Sequence, residues 1–136
     1  MAQISISTGK EEIEIVRDGE KVGCIYFAPG DAALISRLQE VREKASHIEF
    51  KETEEIDDAL AQADAIDNEL RGLIDYAFDY PCSDIVFGNS CTFTTENGVS
   101  ALEQFLNGAL AIIEPTLEKE AKASQKRMSK YTNKYK

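Results

Sequence analysis

The residues of this chain best suited to chemistry are three cysteines, Cys24, Cys82 and Cys91, and a single histidine, His47. Such groups could hold a metal, exchange a disulfide or supply a thiol nucleophile. A structural zinc site takes about four ligands in paired short spacings. Here the cysteines are 58 and 9 residues apart, and no Cys-x-x-Cys pair is present. A thiol nucleophile needs a base beside it, and the only histidine falls within a predicted helix. The pattern reads as three unpaired cysteines packed as small hydrophobes. An odd number of thiols fits a reducing compartment.

Carboxylates are the next candidates. Glu52, Glu54, Glu55, Asp57 and Asp58 cluster, but they lack the alternating ligands and turn glycine of a calcium loop. They read as the solvated start of a helix, where negative charge suits the helix dipole. Asp67 lies four residues before Arg71, a spacing that predicts an ion pair on one helix face. The stretch GNSCTFTTENG has the wrong glycine spacing for a phosphate-binding loop. No catalytic residue, metal ligand or cofactor site is assigned.

The whole chain bounds these readings. Its 136 residues predict one domain. Apolar residues make up 43 % and charged residues 29 %, the balance of a folded protein. A formal charge of −10 repels phosphates and argues against nucleic acid as a partner of the body. No window is apolar enough for a membrane span, and the opening MAQISISTGKEE lacks the pattern of a secretory signal. The expected compartment is the cytoplasm. The charge is also uneven. Residues 119–136 carry seven basic groups against Glu120 alone, while Lys51 to Leu117 holds 14 acids and two bases. An acidic body, residues 1–118, and a basic tail, residues 119–136 and either helical or disordered, are therefore expected.

The elements that must position these groups follow from periodicity. Glu11–Arg17 and Lys21–Ala28 alternate around an Asp-Gly turn and predict an antiparallel hairpin, with Gln3–Ser7 as a candidate third strand. A lone hairpin is marginal in water, so a helix or a second copy must cover one face. Asp31 is a predicted N-cap. Leu34, Leu38, Val41, Ala45 and Ile48 are spaced 4, 3, 4, 3, the seam of a packed helix. A second helix is predicted from about Glu54 to Phe78, with Ala59, Ala63, Ile66, Leu70, Leu73 and Ala77 inward. A third begins near Ser100 with Val99, Leu102, Leu106, Ala109 and Ile113 inward, and Pro115 as a potential kink. The predicted fold class is α+β, a hairpin of two or three strands packed with about three helices.

Between the second and third helices lies YPCSDIVFGNSCTF, residues 80–93. It reads as an irregular apolar plug under the last helix, with a short strand at Ile85-Val86-Phe87. The tail KEAKASQKRMSKYTNKYK interleaves basic and tyrosine residues. It suits an electrostatic handle for a protein partner, a solubilising end, or phosphate contact with base stacking.

Several of these pieces together resemble the small tail-assembly chaperones of long-tailed bacteriophages and prophages, in particular the Gram-positive prophage type. The hairpin leading into YFAPGDAALISRLQEV is similar to an opening seen there. CSDIVFGNSCTF followed by GVSALEQFLNGALAIIEPTLEKE resembles the Phe-Gly loop and Phe-Leu helix of some members. The resemblance implies no enzymatic activity and no cofactor. It implies binding of the helical tape-measure protein, recruitment of tail-tube protein, self-association into a homo-oligomer, and residence in the cytoplasm of the bacterial host, without nucleic-acid or membrane partners.

A chaperone of that kind needs exposed apolar surface bordered by charge. The candidate partner-binding residues are Val22, Ile25 and Phe27 on the hairpin, Ile85, Phe87 and Phe93 on the plug, and Lys126, Arg127, Lys130 and Tyr131 on the tail. The competing reading of hairpin and plug is that they close the monomer's own core. Competing functions are a structural virion component such as a head–tail joining protein, and a small enzyme or ligand-binding domain with a pocket between hairpin and helices.

Overall fold

The computed structural model of the chain describes residues 1–134, with side chains through Met128. It shows an α+β protein. Strands β1 (Glu11–Arg17) and β2 (Glu20–Phe27) form an antiparallel hairpin. Helices α1 (Ala32–Ser46), α2 (Ile56–Phe78) and α3 (Ser83–Phe87) follow. A miniature hairpin of β3 (Thr95–Glu96) and β4 (Val99–Ser100) then leads into α4 (Ala101–Lys134).

The hairpin turn is Asp18-Gly19, and both residues have positive φ, at 53° and 82°. That is the requirement of the tight turn whose twist matches paired strands. Asn97-Gly98 does the same between β3 and β4, at 53° and 81°. Ile13 pairs with Ile25 on the inner face, while Glu12 and Glu14 face outward opposite Tyr26 and Cys24. Gln3–Ser7 forms no strand. A peptide this short holds as a strand only against a partner edge, and Ile4 and Ile6 stand 90 % and 82 % exposed.

Asp31 caps α1 by accepting the Ala33 N–H at 2.9 Å. The predicted seam holds, with Leu34, Leu38 and Val41 buried and Ala45 and Ile48 partly buried. The break at residues 47–55 contains neither glycine nor proline. Gln62 pins it by bonding both the N–H and the carbonyl of Lys51. α2 buries Ile66, Leu70, Ile74, Ala77 and Phe78 and ends on Asp79, which turns left-handed at φ 61°. Arg37 of α1 donates to the Ala77 carbonyl at 2.7 Å, which satisfies one of the free carbonyls at that helix end.

The plug contains α3, not a strand. The run Ile85-Val86-Phe87 is apolar and opens with two β-branched residues, but Asp75 of α2 accepts the N–H groups of Cys82 and Ser83 at 2.9 and 2.8 Å and so starts a helical turn. Core aromatics link the layers: Phe27 to Phe78, Phe78 to Phe105 and Phe105 to Phe87, with ring centroids 5.4, 5.4 and 5.9 Å apart. α4 buries Leu102, Leu106, Ala109 and Ile113 as predicted. It passes residue 118 without a break and continues through Pro115 to Lys134, so the basic tail is helical as far as the described residues reach.

Candidate functional site

The plug is held by charge from two sides. Arg71 of α2 donates Nε to Asp67 at 2.9 Å, Nη1 to Asp84 at 2.8 Å, and Nη2 to the carbonyls of Gly88 and Ser90 at 2.8 and 2.7 Å. Its guanidinium also lies over the Phe87 ring, 5.8 Å from the centroid. A planar fork can serve that many acceptors at once; a lysine cannot. The other oxygen of Asp67 accepts the Thr92 N–H at 2.7 Å. Burial pushes the Asp67 carboxyl up, but Thr92 and Arg71 outweigh it and hold it below its ordinary value. From the hairpin, Arg17 donates to the carbonyls of Ile85 and Val86 at 3.1 and 3.2 Å. Those are last-turn carbonyls of α3 with no partner inside that helix. Gly88 leaves room for this arginine: a Cβ there would lie 2.6 Å from Arg17 Nη2.

Two open grooves flank this clamp, each of about 600 Å³, the first of mixed polar and apolar lining and the second mainly apolar. One runs along β1 and α4, lined by Ile13, Ile15, Phe105, Ala109 and Ile112, with Glu14, Asp18 and Glu96 at its margin. The second lies among α1, α2 and α4. Ala45, Ile48, Phe50, Phe93, Leu102 and Leu106 line it, and Arg42 and Glu103 rim it. Phe50 and Phe93 meet edge to face with centroids 5.2 Å apart, and Phe50 is still 53 % exposed. An aromatic half in water at the mouth of an apolar groove leaves surface that a partner could cover.

α4 adds a third surface. Its 34 residues make a rod of about 51 Å. It lies against the body at Thr116 and Glu120, whose side chains come near Gly30. Residues 121–128 are all exposed. Lys122, Lys126 and Arg127 thus project beyond the acidic body.

The predicted partner-binding residues divide by this geometry. Phe93 lines the second groove. Lys126 and Arg127 are exposed on the rod, while Lys130 and Tyr131 lie outside the described side chains. Val22 is exposed because it is the extra residue of a bulge, unpaired between the Ile15–Gly23 and Val16–Lys21 pairs. Ile85 is half-buried and packs over Gly23, where a Cβ would come within 3.0 Å of it. Ile25, Phe27 and Phe87 require correction as binding residues: at 0 %, 4 % and 2 % exposure they close the core of the monomer. Alternation along β2 tells that Ile25 and Phe27 share a face, but it does not tell that α3 and Phe78 of α2 pack against that face. Phe50, at the second groove, is not marked by the sequence pattern. It lies in a segment without periodicity, and its only signal was being an aromatic among acids.

The thiols are poorly suited to nucleophilic chemistry. Burial, helped by Asp75, pushes the Cys82 thiol up to about 12. A hydrogen bond with Glu12 raises Cys24, and burial raises Cys91. A thiol held protonated at neutral pH is a weak nucleophile. All three cysteines are free, and His47 is the exposed C-cap of α1. Among the described residues no three histidine, cysteine or acidic side chains come together as a metal-holding group, and no helix is long and apolar enough to cross a membrane. No protein-family model, curated protein or solved structure matches the chain.

Proposed function

We propose that this is a non-enzymatic polypeptide-binding protein, a phage tail-assembly chaperone that shields an amphipathic helix of a tape-measure protein in the bacterial host cytoplasm. The observation that carries the reading is the open apolar groove among α1, α2 and α4, with Phe50 half exposed at its mouth. Such a groove accepts the apolar face of a helix, with anchors three and four residues apart. Arg42 and Glu103 at its rim can pair with the polar flanks of that helix. The basic rod of α4 offers acidic partner segments, including tail-tube subunits, an attraction at longer range. The raised thiols weigh against a cysteine-based enzyme.

The test is co-expression with the tape-measure protein encoded by the same phage or prophage. The expected result is a soluble complex that Phe50→Glu weakens while the chain keeps its helix content. A tape-measure protein left insoluble and unbound overturns the reading. Recovery of this chain as a stoichiometric part of finished particles assigns it to the virion structure instead.

A further inference from the structure

The first ten residues are the least explained part of the molecule. MAQISISTGK alternates apolar and polar residues, yet it makes no hydrogen bond among the described residues and leaves Ile4 and Ile6 90 % and 82 % exposed. Strand-like alternation without a sheet is a half-made interaction.

The complementary half lies on the hairpin. Tyr26 gives its N–H away from β1, to the Tyr80 hydroxyl at 2.6 Å. Glu12 and Tyr26 are therefore a non-hydrogen-bonded pair, so Glu12, and two residues on Glu14, turn their N–H and carbonyl groups to the outer edge of β1. β1 pairs only with β2, and nothing among the described residues bonds that outer edge. Beneath it runs the first groove, whose apolar wall is Ile13, Ile15, Phe105 and Ile112 and whose polar wall includes Thr94, Glu96 and Gln104.

We propose that residues 3–7 of a second copy add as a strand to the outer edge of β1, with Ile4 and Ile6 lowered into this groove. Three matches support that occupant. The spacing fits, because residues 4 and 6 fall on one face of a strand, as Ile13 and Ile15 do. The charge fits, because residues 1–10 include Lys10 and no acid, whereas the edge carries Glu11, Glu12 and Glu14. Those glutamates also disfavour pairing with another acidic edge. The third match is that the exchange covers two defects at once, the bare isoleucines of one copy and the bare strand edge of the other. Within one copy the arm does not fold back: Gly9 turns at φ 79° and no pairing with β1 follows. The inference does not rest on the tape-measure reading, which uses the other groove.

Sedimentation equilibrium of the full chain tests it, beside a variant lacking residues 2–8 and the double variant Ile4→Asp/Ile6→Asp. Amide hydrogen exchange at Glu12 and Glu14 is followed in each, and circular dichroism confirms the fold. The full chain should self-associate with both amides protected. Both variants should keep the helix content, lose that protection and associate at least about 100-fold more weakly. Three results overturn the proposal: a monomeric full chain with unprotected amides, a monomeric full chain with protected amides, which means the arm folds back on its own β1, and association that survives both variants.

Discussion

Arg71 Nε lies 2.9 Å from Asp67 Oδ2, and these two residues of α2 between them hold the segment that leads from α3 to α4. Arg71 takes the carbonyls of Gly88 and Ser90, and Asp67 takes the N–H of Thr92. Both side chains are largely buried, at 14 % and 20 % exposure, so the pair acts under weak solvent screening, unlike the surface pair Lys44–Glu40. The outlying Asp84 carboxylate is 92 % exposed and adds little.

Arg71→Ala should destabilise the protein by about 2–4 kcal/mol, because it removes the donor to Asp67 Oδ2 and to two carbonyls and leaves Asp67 with the Thr92 N–H alone. Arg71→Lys should recover only part of this, since an ammonium cannot span the same acceptors. Urea denaturation gives the difference, and amide exchange should show residues 88–92 loosening before the rest.

Asp67 makes part of the stability depend on acid. Its folded carboxyl lies below the ordinary carboxylate value. The stabilisation is then complete above about pH 4, the unfolded value, and is lost as pH falls through the folded value. Asp67→Asn should lower stability at neutral pH and flatten its decline at low pH. A pair of denaturation series from pH 2 to 7 would reveal an unchanged slope if the carboxylate plays no such part.

Gly88 has φ 57°, and the space beside it belongs to Arg17. Gly88→Ala should cost about 1–3 kcal/mol through the left-handed backbone and displacement of the guanidinium. In the Arg17→Met background the same substitution should cost less, which thermal unfolding of the four proteins would resolve.

Cys82 is fully buried, and its thiol is pushed up to about 12. Alkylation of the native protein near pH 8 should modify Cys24 and Cys91 well before Cys82, as intact and peptide mass mapping would order them. Equal rates would mean that the plug opens on the reaction timescale.

Truncation after Glu120 removes, among the described side chains, only exposed ones, residues 121–128. The melting temperature should change by less than about 3 °C. Affinity for an acidic partner should fall, and its salt dependence should weaken.

Much of this architecture is legible in the residues. The 4, 3 spacing from Leu34 to Ile48 fixes the inner face of α1, Asp18-Gly19 fixes the hairpin turn, and the four-residue step from Asp67 to Arg71 fixes their pairing. The misreadings have a common cause in contacts distant along the chain. Ile85–Phe87 suits a strand or a buried helix equally, and the choice falls to Asp75, which reaches in from α2. Asn97-Gly98 carries the same turn signal as Asp18-Gly19, but two residues on each side are too few to show alternation. The alternation of Gln3–Ser7 is genuine, but a strand also needs an edge to join, and local pattern does not show where that edge is. The grooves were out of reach of sequence because each is made by three or more separated segments.

The hydroxyl of Tyr80 on the N–H of Tyr26 gives the hairpin two unlike sides. Hairpins that stay open on both margins can stack without limit and seed fibrils. Here a phenol already occupies one donor on the β2 margin, so that margin offers a second chain one group fewer than the outer edge of β1 does. Replacing that phenol by phenylalanine would free this main-chain donor, and the penalty would show as fibrillation on storage more than as lost folding stability.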